Sequence, residues 1–167
     1  MSNILFYERQ YFRVWWVWLI LLMPFSILLV GLIYQFVYDK PFGTNSMSNT
    51  NLTIVAVSYL ALLILMVFCR METKMSCEFI AIRYFPFVPI YLKFYRNDIS
   101  RIEAVTYDPI SDALGWGIRF SSKWGLVYSI KGNEGISIEL KNGKKYLIGT
   151  SETQNFENAI QLWKIES

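Results

Sequence analysis

The pattern of hydrophobic and polar positions divides the chain into two unlike parts. From Val14 to Tyr38 no residue carries a charge. A helix of about 25 residues, at ~1.5 Å of rise per residue, exceeds the ~30 Å hydrocarbon core of a bilayer. Trp15, Trp16 and Trp18 crowd the start of this run, and Tyr34 and Tyr38 its end. Amphipathic rings at both limits are what an interfacial aromatic belt requires. Pro24, inside the run, frees a carbonyl and predicts a kink. The run is too long for a cleaved signal peptide, and no small-residue cleavage site follows it. A second apolar run covers roughly Leu52 to Cys69. The segment between them, DKPFGTNSMSNTN, is a turn-rich connector too short to fold alone. Residues 1–70 therefore read as a transmembrane hairpin with spans at about 14–38 and 52–69.

After Arg70 the period shortens. CEFIAIRYF alternates, with Ile80, Ile82 and Tyr84 on one face, and FPFVPI (Phe85 to Ile90) reads as a proline-punctuated turn. YLKFY, RIEAVTY, WGIRF, GLVYSIK, GISIEL and KYLIGT continue a series of short strands, and DPISDALG reads as a loop. Asn142-Gly143 is the pair that a type I′ hairpin needs. Ser151-Glu152-Thr153-Gln154 has capping-box spacing with Ser151 as the cap, and Phe156, Ala159, Ile160 and Trp163 follow as one helical stripe. The expected fold is thus a membrane α-helical hairpin plus an α+β domain over residues 71–167. That domain is a bent antiparallel sheet or partial barrel of about seven strands, closed by a C-terminal helix.

Composition agrees with this division: 54% of the 167 residues are hydrophobic and 17% charged, a balance ordinary for a small membrane protein. The net charge of +3 is too mild and dispersed for a nucleic-acid partner. Its distribution sets an orientation. Arg9 and Arg13 precede the first span and Arg70, Lys74 and Arg83 follow the second, whereas the connector offers only Lys40. The positive-inside rule then puts both termini in the cytoplasm, with the chain multi-pass in the inner (cytoplasmic) membrane. The two cysteines, Cys69 and Cys77, suit no metal motif by their spacing. Cys69 falls at a span boundary, where reversible acylation is conceivable, although a small apolar residue ending a helix is the plainer reading.

The segment from Gly115 to Ile160 resembles the C-terminal part of the bacterial membrane-flanked PH-like (pleckstrin-homology-like) domain family. The residues that carry the resemblance are Gly115–Arg119, the Gly132–Gly135 turn, Ile136–Leu140, the Asn142-Gly143 hairpin and Leu147–Thr150. The paired helices ahead of the domain match as well. This resemblance implies a fold and a location more than an activity.

Candidate chemistry is sparse. With no histidine, the usual hydrolytic triads and most zinc sites are excluded. The glycines form no phosphate-binding loop, since Gly115-Trp116-Gly117 precedes a strand. The sequence implies no enzyme, no metal and no cofactor. Lys131, Lys141, Lys144 and Lys145 group around the last hairpins; they either orient the domain on anionic headgroups or are solvated lysines flanking turns. Trp116 and Arg119 suggest a partner surface, or else a core Trp and a cross-strand ion pair between Arg119 and a glutamate. Phe87, in FPFVPI, dips into the bilayer, meets a partner or caps the barrel. The leading expectation is a non-enzymatic scaffold that contacts lipid through its helices and recruits a protein partner; anionic headgroup sensing is the alternative, and an enzyme of unrecognised type the remote one.

Overall fold

The strands begin earlier than the alternation after Arg70 suggests. In a computed structural model, which describes residues 4–43 and 46–165, Ile4–Tyr11 forms strand β1, ahead of the first apolar run. It pairs antiparallel with β2 (Arg70–Ser76), with Tyr11 opposite Arg70 and Arg9 opposite Glu72. Beyond the strand ends the Phe12 N–H donates to the Cys69 carbonyl at 3.2 Å. β1 and β2 are therefore the arms of one β-hairpin, and residues 13–68 are inserted at its loop. The chain up to Phe12 and from Cys69 onward forms one compact unit, and Arg13–Phe68 the other. A division at residue 70 places β1 with the helices; the strand pairing moves it to the β unit.

The helical unit consists of α1 (Trp15–Phe36) and α2 (Asn49–Val67). Their 22 and 19 residues correspond to about 33 and 28 Å. α2 starts at Asn49 because Ser48 caps it, its hydroxyl accepting the Asn51 N–H at 3.3 Å. The Tyr59 hydroxyl donates to the Leu21 carbonyl at 2.9 Å. That carbonyl is the neighbour of Ile20's, the acceptor that Pro24 leaves without its helical donor. Gly31 is buried, and a Cβ there would stand 3.0 Å from the Phe42 ring. Only 6% of the apolar window in α1 and 17% of that in α2 is buried within the protein. A core helix of a soluble domain covers its apolar surface; these two do not, and both are long and apolar enough to cross a membrane.

The β unit holds two open sheets. The first runs β1–β2–β3–β4, all antiparallel, with β3 at Phe79–Phe85 and β4 at Val88–Tyr95. A 3₁₀ turn, Arg96–Asp98, leads to the second sheet. Its strands are β5 (Ile99–Thr106), β6 (Gly117–Ser121), β7 (Gly125–Ser129), β8 (Glu134–Leu140) and β9 (Lys145–Gly149). Their order is β5-β8-β9-β7-β6, and neither sheet closes on itself. Eight described strands follow the helices, against about seven expected, and β1 adds a ninth ahead of them. The second sheet is mixed, because β8 lies beyond β9 and leaves β9 parallel to β7. Gly125 permits that approach: its φ is +70°, and a Cβ there would fall 2.1 Å from the Lys145 carbonyl oxygen.

Three local expectations are refined. The segment read as a loop holds a short helix, α3 (Pro109–Ala113), capped by Asp108, whose carboxylate accepts the Ile110 and Ser111 N–H groups. Asn142-Gly143 does make the tight turn, but Gly143 alone has positive φ. The Gly143 N–H donates to Leu140 at 2.9 Å, so this is a type I turn with glycine in the left-handed position and not type I′. The last helix, α4 (Thr153–Ile165), begins with the Phe156 N–H bonded to the Glu152 carbonyl. Glu152 thus takes the cap position, and the Ser151 N–H goes to Glu8 Oε1 at 2.9 Å.

The expected stripe of α4 is buried: Phe156, Ala159, Ile160 and Trp163 pack with Met71, Met75, Ile80 and Ile82 of the first sheet and Ile136, Ile138 and Ile148 of the second. Phe156 stacks on Phe6 of β1 with centroids 4.4 Å apart. The inward polar residues of β1 bond to the end of the second sheet. Glu8 accepts from the Thr150 hydroxyl at 2.6 Å, and the Gln10 amide donates to the Gly149 carbonyl at 2.9 Å.

Candidate functional site

The face of the first sheet turned away from the core carries the protein's densest charge. Alternation along β1 and β2 sends Phe6, Glu8, Met71, Thr73 and Met75 inward, so Tyr7, Arg9, Arg70, Glu72 and Lys74 point outward. Arg83 of β3 lies opposite Glu72, and Lys93 of β4 shares a row with Lys74 through Ala81. Five cations therefore stand on this face with one carboxylate, a larger surplus than the +3 of the whole chain.

Glu72 is the centre of the arrangement and is only 1% exposed. It accepts from the Tyr91 hydroxyl at 2.6 Å and the Arg83 guanidinium at 2.5 Å, with Arg9 Nε at 3.1 Å and Arg70 Nε at 3.2 Å. Desolvation by burial pushes its carboxyl upward. The Tyr91 and Arg83 hydrogen bonds and the neighbouring guanidiniums outweigh that, and hold it below the ordinary carboxylate range. Aromatic rings line the same face. Lys74 Nζ lies 4.6 Å from the Tyr91 ring centre, the Arg83 guanidinium 4.7 Å from the same ring, and Arg70 5.2 Å from Phe85. One carboxylate anchors three guanidinium side chains, which are themselves part-exposed.

Of FPFVPI, expected as a turn, only Pro86 and Phe87 connect β3 to β4; Phe85 ends β3, and Val88, Pro89 and Ile90 begin β4. Because Phe85 pairs with Arg70, and Arg70 with Tyr11, this tip lies at the end of the sheet where the chain leaves after Tyr11 and returns at Arg70. Phe87 is 55% and Ile90 79% exposed there.

The other sequence-derived candidates lie elsewhere. The Lys141 N–H bonds the Asp98 carbonyl at 2.8 Å, which sets the β8–β9 hairpin, with Lys144 and Lys145, beside the turn that follows Tyr95. From Phe87 that is the far end of β4, about 23 Å along the strand. Lys131 is exposed in the loop between β7 and β8, apart from that hairpin. Trp116 is half-buried and donates its indole N–H to the Gly132 carbonyl at 2.9 Å, a clasp on the same loop and not a core position. Arg119 is exposed on β6 and, among the described residues, makes no ion pair with a glutamate. Beside it, Phe120 projects at the rim of an open hollow of about 600 Å³ that includes Leu126, Lys144, Lys145 and Tyr146. Phe120 is 78% exposed, and Ile110 and Leu114, on the segment leading into β6, are 70% and 85% exposed.

Cys69 is buried in the core, and desolvation pushes its thiol upward. A covered, protonated thiol is a poor acylation site, so the conceivable modification gives way to a packing role. Among the described residues, no three of Cys, Asp and Glu stand close enough to share a metal ion. The residues missed from sequence are Arg9, Arg70, Tyr7 and Tyr91. The two arginines read as flanking charges of the spans, and the alternation of ILFYERQY was the available signal for β1. No family model and no curated protein matches this chain, so the site rests on its own chemistry.

Proposed function

We propose that the protein is a non-enzymatic, membrane-anchored interaction module that recruits a protein partner at the cytoplasmic face of the bacterial inner membrane. In this reading α1 and α2 span the bilayer, both termini are cytoplasmic, and the β unit is a PH-like domain. Support for the anchor comes from two nearly unburied apolar helices inserted at one hairpin, since the Phe12–Cys69 hydrogen bond brings the chain back to the side it left. Support for the PH-like reading comes from two open sheets covered by a C-terminal helix.

The observation that carries partner recruitment is the apolar exposure on the segment from Ile110 to Phe120. Three large side chains, each more than two-thirds exposed within eleven residues, leave a soluble surface with unburied area that a partner would cover. Lys144 and Lys145 at the hollow's rim favour an acidic segment with apolar anchors. A photo-crosslinking residue at Phe120 in the full chain, in native membranes, tests this. The expected product is one discrete protein adduct that weakens when Lys144 and Lys145 are both changed to Glu. Adducts to lipid alone, or an adduct indifferent to the charge reversal, would refute the reading.

A further inference from the structure

The geometry points to a second, separate surface: the outer face of the β1–β4 sheet and the Phe87–Ile90 tip together engage the anionic headgroup layer of the membrane that the helices cross. The inference rests on the membrane-spanning reading of α1 and α2, and it assigns lipid contact to residues other than the last-hairpin lysines.

Three observations converge. The first is topological. The chain leaves the sheet at Tyr11 and returns at Arg70, so a membrane crossed by residues 15–36 and 49–67 is tethered to this end of the β unit through links of a few residues. The second is the tip, which at this same end exposes Phe87, between Pro86 and Pro89, and Ile90, just after them. Apolar side chains of that exposure are stabilised by the boundary between headgroups and acyl chains. The third is charge. Arg9, Arg70, Arg83, Lys74 and Lys93 stand behind the tip with Glu72 as their one counter-charge, and Tyr7, Tyr11 and Tyr91 supply the amphipathic rings that favour the interface. The three arginine side chains on the buried carboxylate stay part-exposed, and an exposed guanidinium takes phosphate oxygens as readily as carboxylate. The cations are spread over all four strands, which suits a layer of headgroups and not one enclosed ligand. The lysines of the β8–β9 hairpin lie at the far end of β4 and stay clear of this contact. The hollow beside Phe120 is thereby left open to a partner.

The test uses the full chain carrying Cys77→Ser, labelled with a fluorophore at Phe87→Cys or, as the remote control, at Phe120→Cys. It is reconstituted into vesicles of phosphatidylcholine alone or mixed with phosphatidylglycerol, each doped with a lipid quencher at headgroup depth. The label at position 87 should be quenched several-fold more than the label at 120, and more strongly in the anionic vesicles. Raising salt from about 0.1 M to about 1 M, which shortens the Debye length from ~10 Å to ~3 Å, should abolish the difference between the two lipid compositions. Lys74→Gln with Lys93→Gln should do the same, without touching the ion pairs of Glu72. Equal quenching at both positions, or quenching indifferent to lipid charge, overturns the inference. So does protection from aqueous iodide without lipid quenching, which would place a second copy of the chain on this face. Release of the protein by alkaline carbonate overturns the membrane-spanning reading beneath it; retention with equal quenching overturns the headgroup contact alone.

Discussion

Replacing Glu72 by Gln isolates the charge at the centre of the basic face. Gln has the same shape and keeps one carbonyl acceptor, so the Tyr91 hydrogen bond survives in neutral form while the ionic part is lost. The carboxylate accepts one charge-assisted bond from Arg83 and one from Tyr91. A hydrogen bond to a charged group contributes about 1.5–3 kcal/mol and a neutral one about 1. The contacts to the more exposed Arg9 and Arg70 are screened by solvent and add little. The three guanidiniums also repel one another once the counter-charge is gone. The expected destabilisation is about 2–4 kcal/mol, in line with losing one partner of a partly buried pair. For a unit of this size that lowers the melting temperature by roughly 8–16 °C, at ~4 °C per kcal/mol.

The assay is thermal unfolding of the full chain in mild detergent, wild type against E72Q, across pH and salt. Glu72 is held below the ordinary carboxylate range, so the stability it contributes is complete above the unfolded value of about 4.3 and is lost as pH falls through the lower folded value. The gap between wild type and E72Q should therefore be full at neutral pH and narrow below about pH 4. Asp108, held low by the Ile110 N–H, and Asp112, held low by the Trp124 indole, also make the fold acid-sensitive. They do so equally in both proteins and cancel in the difference. Added salt should stabilise E72Q more than wild type, because it screens guanidiniums that have lost their counter-ion. A gap near zero at neutral pH, or one unchanged at pH 3, would show that the carboxylate charge does not hold this face together.

Other outcomes follow from the packing. Phe156→Ala removes a fully buried ring stacked on Phe6 at the junction of helix and strand, and should cost about 3–5 kcal/mol by denaturant unfolding. Gly125→Ala combines a left-handed backbone with a Cβ placed 2.1 Å from the Lys145 carbonyl oxygen. It should cost more than about 2 kcal/mol and lose the slow amide exchange of β7 and β9. Residues 71–167 expressed alone lack β1, with its buried Phe6, Glu8 and Gln10, and should show the poorly dispersed amide spectrum of an unfolded chain. Joining residues 1–12 to 69–167 through a short Gly-containing turn should restore dispersion, since Phe12 and Cys69 are already hydrogen-bonded.

What could be read from the sequence tracks how singly determined each signal is. The helices are legible because an uncharged run of that length is long and apolar enough to cross a membrane as a helix. The stripe of α4 is legible because all four of its apolar positions are buried together. β1 is hidden because two of its three inward residues, Glu8 and Gln10, are polar, and their partners Thr150, Ser151 and Gly149 lie at the other end of the chain. No local window contains that pairing. The parallel contact of β7 with β9 is hidden for the same reason, being a consequence of where β8 docks. The basic face inherits the difficulty: without β1, Arg9 reads as a topogenic charge, and Glu72 as a neutralising neighbour of Lys74 instead of the hub of three arginines.

The insertion of the helices into a β-hairpin changes how the two units depend on each other. A domain appended after a transmembrane hairpin can fold without it, whereas here the first strand is made before the first helix and the second strand after the second. The register of β1 against β2, Tyr11 on Arg70 and Arg9 on Glu72, can form only when the intervening residues have returned the chain to its starting side. A single crossing, or an odd number of crossings, would strand β1 across the bilayer from β2 and leave Phe6, Glu8 and Gln10 without their partners. Completion of the core and of the Glu72 cluster is in this reading conditional on correct insertion of both spans. In the same reading, Arg9 and Arg70, expected from sequence to orient the helices, are also charges that build the sheet's outer face.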